Sequence, residues 1–178
     1  AVLIGYQAGM SLTTSEGVYI GWNAGADADA GDVNAVQNVY IGTETGRYLD
    51  DGVNNVAIGY EAMKSTSNTQ NAGNNVAIGY QSLLSITDGD NNVAIGKGAG
   101  DALTDSGNNV LVGINAGGAL TAGSNYNVMI GDSAGATDTS NLQHCILIGR
   151  NSGNAISGGA PDGTIAIGSS ALAALTSG

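Results

Sequence analysis

Three stretches of the chain carry residue types that could do chemistry. Gly131-Asp132-Ser133-Ala134-Gly135 fits G-x-S-x-G, the turn that presents the nucleophile of a serine hydrolase between a strand and a helix. A serine of that kind needs a histidine and an acid within hydrogen-bond reach. The chain has one histidine, His144, beside its one cysteine, Cys145. Two adjacent ligands do not make a metal site, and a lone cysteine forms no intrachain disulfide. Cys145 is therefore expected to be a partly buried thiol. Gly96-Lys97-Gly98-Ala99-Gly100 contains the residues of a phosphate loop in the wrong order, since that loop needs its lysine directly after the last glycine. Asp27, Asp29 and Asp32 place carboxylates at near-alternate positions around Gly31, as at the start of a calcium loop. Asn38 stands where the closing bidentate Glu belongs, so bound Ca²⁺ and a solvated acidic loop both stay open. No other cofactor and no enzymatic activity are expected.

Composition narrows the classes further. Of 178 residues, 30 are Gly and 19 are Asn, Phe is absent, and only 11% are charged. Four Lys+Arg against fifteen Asp+Glu give a net charge of −11, the wrong sign for binding nucleic acid. There is no apolar run long enough to cross a bilayer as a helix, and no basic-then-apolar leader opens the sequence. A mean hydropathy of +0.06 argues against disorder. What remains is an ordered, acidic protein with small apolar side chains.

The elements that must position these residues come from a repeat. Val/Ile, any residue, Ile/Val and Gly are followed, after two intervening residues, by a small side chain, and the string recurs ten times. Its glycines are Gly5, Gly21, Gly42, Gly59, Gly79, Gly96, Gly113, Gly131, Gly149 and Gly168, spaced 16 to 21 apart. Numbered from each glycine, −3 is Val or Ile and −1 is Ile or Val. Position +3 is Ala, Ser or Thr, and +7 is aliphatic in seven copies, such as Leu49, Ile86, Leu103 and Leu120. The β-branched alternation predicts a short strand at each copy, the glycine a sharp bend, and +7 the middle of a second short strand. With −3 and −1 read as inward, −2 points outward. That stripe is apolar or aromatic in every copy and includes Tyr19 and Tyr40, which predicts an interface with neighbouring chains. Asn38, Asn55, Asn75, Asn92, Asn109 and Asn127 occupy −4. They fit a side-chain ladder between stacked coils, or a turn preference at the strand entrance, and the two are compatible. Tyr6, Trp22, Tyr60 and Tyr80 occupy +1. On an outer face such rings either stack on sugars or anchor chain-to-chain packing.

Ser133 and Lys97 now read as the +2 and +1 residues of ordinary copies. The fold expected is all-β, a parallel β-solenoid of about ten coils with two short strands each, filling residues 1–178 as one domain. Asn-Asn-Val-Ala-Ile-Gly-Tyr at 54–60 and 74–80, and Asn-Asn-Val-Ala-Ile-Gly-Lys at 91–97, resemble the head repeat of trimeric autotransporter adhesins and the related repeats of phage and marine-virus tail fibres. The resemblance spans essentially the whole chain. It implies a left-handed β-roll, three chains side by side, and an extracellular, cell-surface or virion location with a host-surface glycan or receptor as partner. The coil is longer than is typical of adhesin heads, which favours the tail-fibre branch. No neck, heptad stalk or anchor motif is present, and the chain reads as a window of a longer fibre. The alternative is a filament subunit that stacks end to end.

Overall fold

A computed structural model of the chain describes residues 1–12, 16–26, 36–49, 51–65, 71–137, 142–154 and 162–173. Asp27, Asp29 and Asp32, the calcium candidates, lie outside the described residues. Ten three-residue strands follow one another: β1 (Val2–Ile4), β2 (Val18–Ile20), β3 (Val39–Ile41), β4 (Val56–Ile58), β5 (Val76–Ile78), β6 (Val93–Ile95), β7 (Val110–Val112), β8 (Val128–Ile130), β9 (Ile146–Ile148) and β10 (Ile165–Ile167). They form one parallel sheet in sequence order, each pairing with the next in the same register, as in Val76↔Val93, Ala77↔Ala94 and Ile78↔Ile95. This is a parallel β-solenoid without helices among the described residues. Nine steps of ~4.8 Å set a stack roughly 43 Å long.

The solenoid makes about eight turns, not ten. Ten glycines mark ten strands but bound only nine intervals, so counting glycines overstates the number of turns.

The second strand expected around +7 is also replaced. After each bend the backbone goes left-handed at +2 and again at +4, as at Gln81 (φ 55°) and Leu83 (φ 49°), or Asn115 (φ 51°) and Gly117 (φ 61°). Coils stay bonded through this stretch. In the third coil the Val39 N–H donates to Asn55 O (2.8 Å) and Gly46 N–H to Ala62 O (2.9 Å), both in the following coil. Gly42 N–H donates back to Ile20 O (2.8 Å) and Glu44 N–H to Trp22 O (2.8 Å). The left-handed residues at +2 and +4 thus donate to opposite neighbours along the axis, while the +3 N–H between them bonds within its own coil, as Ala99 N–H does to Gly96 O (3.3 Å), so the ladder runs on without extended strand geometry.

The bend glycines themselves stack. At Gly96 (φ 138°) a Cβ would lie 2.6 Å from the carbonyl carbon of Gly113, so no side chain fits between coils. Gly168, in the last strand-bearing coil, meets nothing nearer than Ala171 Cβ at 4.0 Å.

The inside and outside of the coil are the reverse of the sequence expectation. The −2 residues are buried: Tyr19, Tyr40, Ala57, Ala77, Ala94, Leu111, Met129 and Leu147 line the core. The −3 and −1 residues face out. Period two correctly put −3 and −1 on one face, but it does not say which face is concave. A three-residue strand wrapped on a narrow coil has room inside for its central side chain only, and the two flanking ones splay outward. The +3 and +7 residues are inward as expected, with Ala62, Ala99, Ala116, Leu49, Ile86, Leu103 and Leu120 buried.

Bulk inside each coil is shared between −2 and +4. Where −2 is large, +4 is glycine: Tyr19 with Gly25, Tyr40 with Gly46, Leu111 with Gly117, Met129 with Gly135, Leu147 with Gly153. A Cβ on Gly117 would sit 2.8 Å from Leu111 Cδ2, and one on Gly135 would sit 2.5 Å from Met129 Sδ. Where −2 is alanine the space is filled otherwise: around Gly100, the +4 residue of the Ala94 coil, by Leu83, Leu103 and Leu111, and in two other coils by +4 itself, Met63 with Ala57 and Leu83 with Ala77. Both accept left-handed backbone (φ 51° and 49°), which glycine takes without strain.

Candidate functional site

The polar interior is one continuous column. Asn38, Asn55, Asn75, Asn92, Asn109 and Asn127 are all fully buried. Each Oδ1 accepts the backbone N–H of its counterpart one coil on: Asn55 N to Asn38 Oδ1 at 2.7 Å, then 2.9, 2.8, 3.0 and 2.9 Å along the row. Each Nδ2 donates to a loop carbonyl, as Asn92 does to Ser106 O (2.9 Å) and Asn127 to Leu142 O (2.8 Å). The ladder reading is the observed one. The turn preference belongs one residue earlier, where Asn54, Asn74, Asn91 and Asn108 hold φ between 58° and 62°. Buried Cys145 ends the row, its N–H reaching Asn127 Oδ1 at 3.1 Å.

Tyr19 and Tyr40, expected at an outer interface, instead pack edge to face in the core with centroids 5.5 Å apart. Burial pushes both phenols up, Tyr40 most strongly, and its oxygen lies toward Asn55 without a hydrogen bond of standard geometry. The residues of the hydrolase-like motif are not gathered into a catalytic array. Ser133 Oγ donates to Asp132 Oδ1 (2.9 Å), while His144 stacks on Tyr126 at 5.2 Å. Gly98 occupies a left-handed position (φ 63°), and Lys97 Nζ lies 5.8 Å from the Tyr80 ring centroid. Among the described residues no group of three or more His, Cys, Asp or Glu side chains could hold a metal ion.

Two outer surfaces stand out. The first is the outward face of the sheet, two columns of Val and Ile with no charged residue in either. In the middle of the stack Ile78, Ile95 and Ile130 are 36–39% exposed, and the paired Val76, Val93 and Val128 are half-buried. The second is the +1 column beyond the bend: Tyr6, Trp22, Thr43, Tyr60, Tyr80, Lys97, then Ile114, Asp132, Arg150 and Ser169. Tyr60 and Tyr80 stack at 5.5 Å with rings 11° apart. Beside them Glu44, Arg47, Glu61 and Lys64 interlock. Arg47 Nη1 is 2.7 Å from Glu44 Oε1, Lys64 Nζ is 2.8 Å from Glu61 Oε1 and also pairs with Glu44, and Gln81 donates to Glu61 (2.7 Å). Lys64 holds the Glu61 carboxyl below its usual range, and the Glu61 charge raises the Tyr60 phenol. Burial works against the Lys64 charge, but the two glutamates outweigh it and keep the ammonium above its ordinary range.

Sequence reasoning missed the Val/Ile face and the left-handed positions. A signal for the latter was present. The +2 residues are Gln, Asn, Glu, Gly and Ser throughout, never β-branched or aromatic, as positive φ requires. No family model matches the sequence, and no curated protein or solved structure is significantly similar to it.

Proposed function

We propose that this chain is a non-enzymatic structural segment, a rigid β-solenoid that packs side by side with two further copies in a tail fibre or surface adhesin. The observation that supports this reading is the outward Val/Ile face. A contiguous apolar surface of this length on a soluble rod marks an interface. Ten strands in identical register give it one column spacing from end to end, so a second copy aligned along the same axis can pack against every step. Three chains with their faces turned to a common axis would cover all of it, and the resemblance to trimeric adhesin heads supplies the chain number and the left-handed sense. Loops repeated along such a rod offer many weak contacts at fixed spacing, which is how a fibre gains avidity.

Multi-angle light scattering of the purified chain tests the association. A trimer is expected, and Ile78→Lys with Ile95→Lys should dissociate it while the monomer keeps its β signature. A wild-type monomer at working concentration overturns the reading.

A further inference from the structure

The +1 column contains a gap of one side chain. Trp22, Thr43 and Tyr60 occupy one position in three successive coils, and the backbone bonds them in line. Glu44 N–H donates to Trp22 O at 2.8 Å and Glu61 N–H to Thr43 O at 3.0 Å. The two aromatics therefore stand two coil steps apart, roughly 9.6 Å, with the short Thr43 between them. Trp22 and Tyr60 are 46% and 47% exposed. One face of Tyr60 is taken by Tyr80. Since Lys97 continues that stack on the far side of Tyr80, the rings face along the axis, and the free face of Tyr60 is turned toward the level of Thr43. The result is a notch with an aromatic residue on each side and a threonine floor, flanked on the +2 column by the Glu44–Lys64–Glu61 network.

We propose that this notch binds a neutral pyranose, edge-on, with its two faces against Trp22 and Tyr60. About 4.8 Å is available on each side of a ring centred in the gap. A flat aromatic ring is too thin to touch both sides. A sugar chair is thicker and carries C–H groups on both faces, the complement of the electron-rich faces of Trp and Tyr. Its hydroxyls would meet Thr43 on the floor and the carboxylates of Glu44 and Glu61 beside it. Charge selects against acidic sugars, because the chain carries −11 and the cations of the two adjoining coils, Arg47 and Lys64, are already paired with Glu44 and Glu61. The column is made for one ring only, since Tyr80 closes the next level.

The test is titration of the intact chain with methyl glucopyranosides, galactopyranosides and mannopyranosides by saturation-transfer NMR, together with an array of neutral and sialylated glycans. Binding of a neutral glycoside is expected, weakened about tenfold by Trp22→Ala or Tyr60→Ala through loss of one stacked face. Thr43→Trp, which fills the notch, should abolish binding without lowering the melting temperature, and Ile114→Ala, further along the same column, should change nothing. Absence of binding to any neutral glycoside at millimolar concentration overturns the proposal. So does binding that survives Thr43→Trp, or tighter capture of N-acetyl-tryptophanamide than of any sugar. Sedimentation in the same solutions keeps the two readings apart: a sugar-binding monomer defeats only the side-by-side association, and a trimer without sugar binding defeats only the notch.

Discussion

Replacing Asn92 by alanine tests the buried column where it is most regular. Asn92 Oδ1 accepts from the Asn109 N–H (3.0 Å) and Asn109 Nδ2 (3.0 Å), and its Nδ2 donates to Ser106 O (2.9 Å) and Asn75 Oδ1 (3.2 Å). Truncation removes all four. Asn109 Nδ2 keeps Gly107 O and Ser124 O, and Asn75 Oδ1 keeps the Asn92 backbone N–H. Two buried groups lose these partners: the Asn109 N–H and the Ser106 carbonyl. At ~1–3 kcal/mol for each orphaned buried group, the loss is about 4 kcal/mol. For a chain of this size that corresponds to a fall in Tm of roughly 10 °C. Differential scanning calorimetry measures it, with hydrogen exchange at Asn109 reporting the local opening. Asn71→Ala, at an exposed loop position, serves as the comparison and should move Tm by less than about 2 °C. Equal effects of the two substitutions would refute the argument that the column, and not asparagine content as such, holds the coils together.

Two further outcomes follow from the interior. Ala57→Leu overpacks the fourth coil and should cost ~1–3 kcal/mol. Met63→Gly empties it and should cost ~2–4 kcal/mol, reduced by relief of the left-handed strain at φ 51°. The double variant reproduces the Leu111–Gly117 arrangement, so a urea-denaturation double-mutant cycle should show a favourable coupling of about 2 kcal/mol, and strict additivity would count against shared bulk. The buried phenols of Tyr19 and Tyr40 have folded-state pKa values above the ordinary 10.0. Their contribution is complete below pH 10 and is lost as pH rises, because only the unfolded chain ionises readily there. Absorbance at 295 nm should therefore show these two ionising only together with cooperative alkaline unfolding. Smooth ionisation of Tyr19 and Tyr40 in the folded state, read as a loss of that step in the Tyr19→Phe and Tyr40→Phe variants, would refute their burial.

Much of the architecture is written in the repeat. The row from Gly5 to Gly149 marks bends because a Cβ there strikes the next coil, and the −4 asparagines mark a ladder because a buried amide needs both a donor and an acceptor at each step. Alternation placed Val76 and Ile78 on one face but left open which face closes on itself. That choice depends on curvature, set by the left-handed residues Gln81 and Leu83 several positions later. The second strand was misread for the same cause. An aliphatic such as Ile86 looks alike whether it follows an extended segment or alternating-handed turns. The candidate surfaces were legible unevenly: Trp22, Thr43 and Tyr60 could be placed in one column from spacing alone, whereas Tyr19 and Tyr40 changed sides when the face reversed. Asp27, Asp29 and Asp32 lie outside the described residues.

The direction of the coil-to-coil hydrogen bonds has a mechanical consequence. The N–H groups at the bend glycine, +2 and +4 point up or down the stack, so a pull along the long axis acts in line with these bonds and not across them. Load then falls on the outermost coil first, and its few bonds give way before the next coil feels strain. Such a segment resists bending and compression through its close-packed rows. Under tension it pays out one coil at a time, releasing 16 to 21 residues of slack at each step. Rods packed along the Val/Ile face, as proposed, would have to be peeled apart as well, adding resistance at each step.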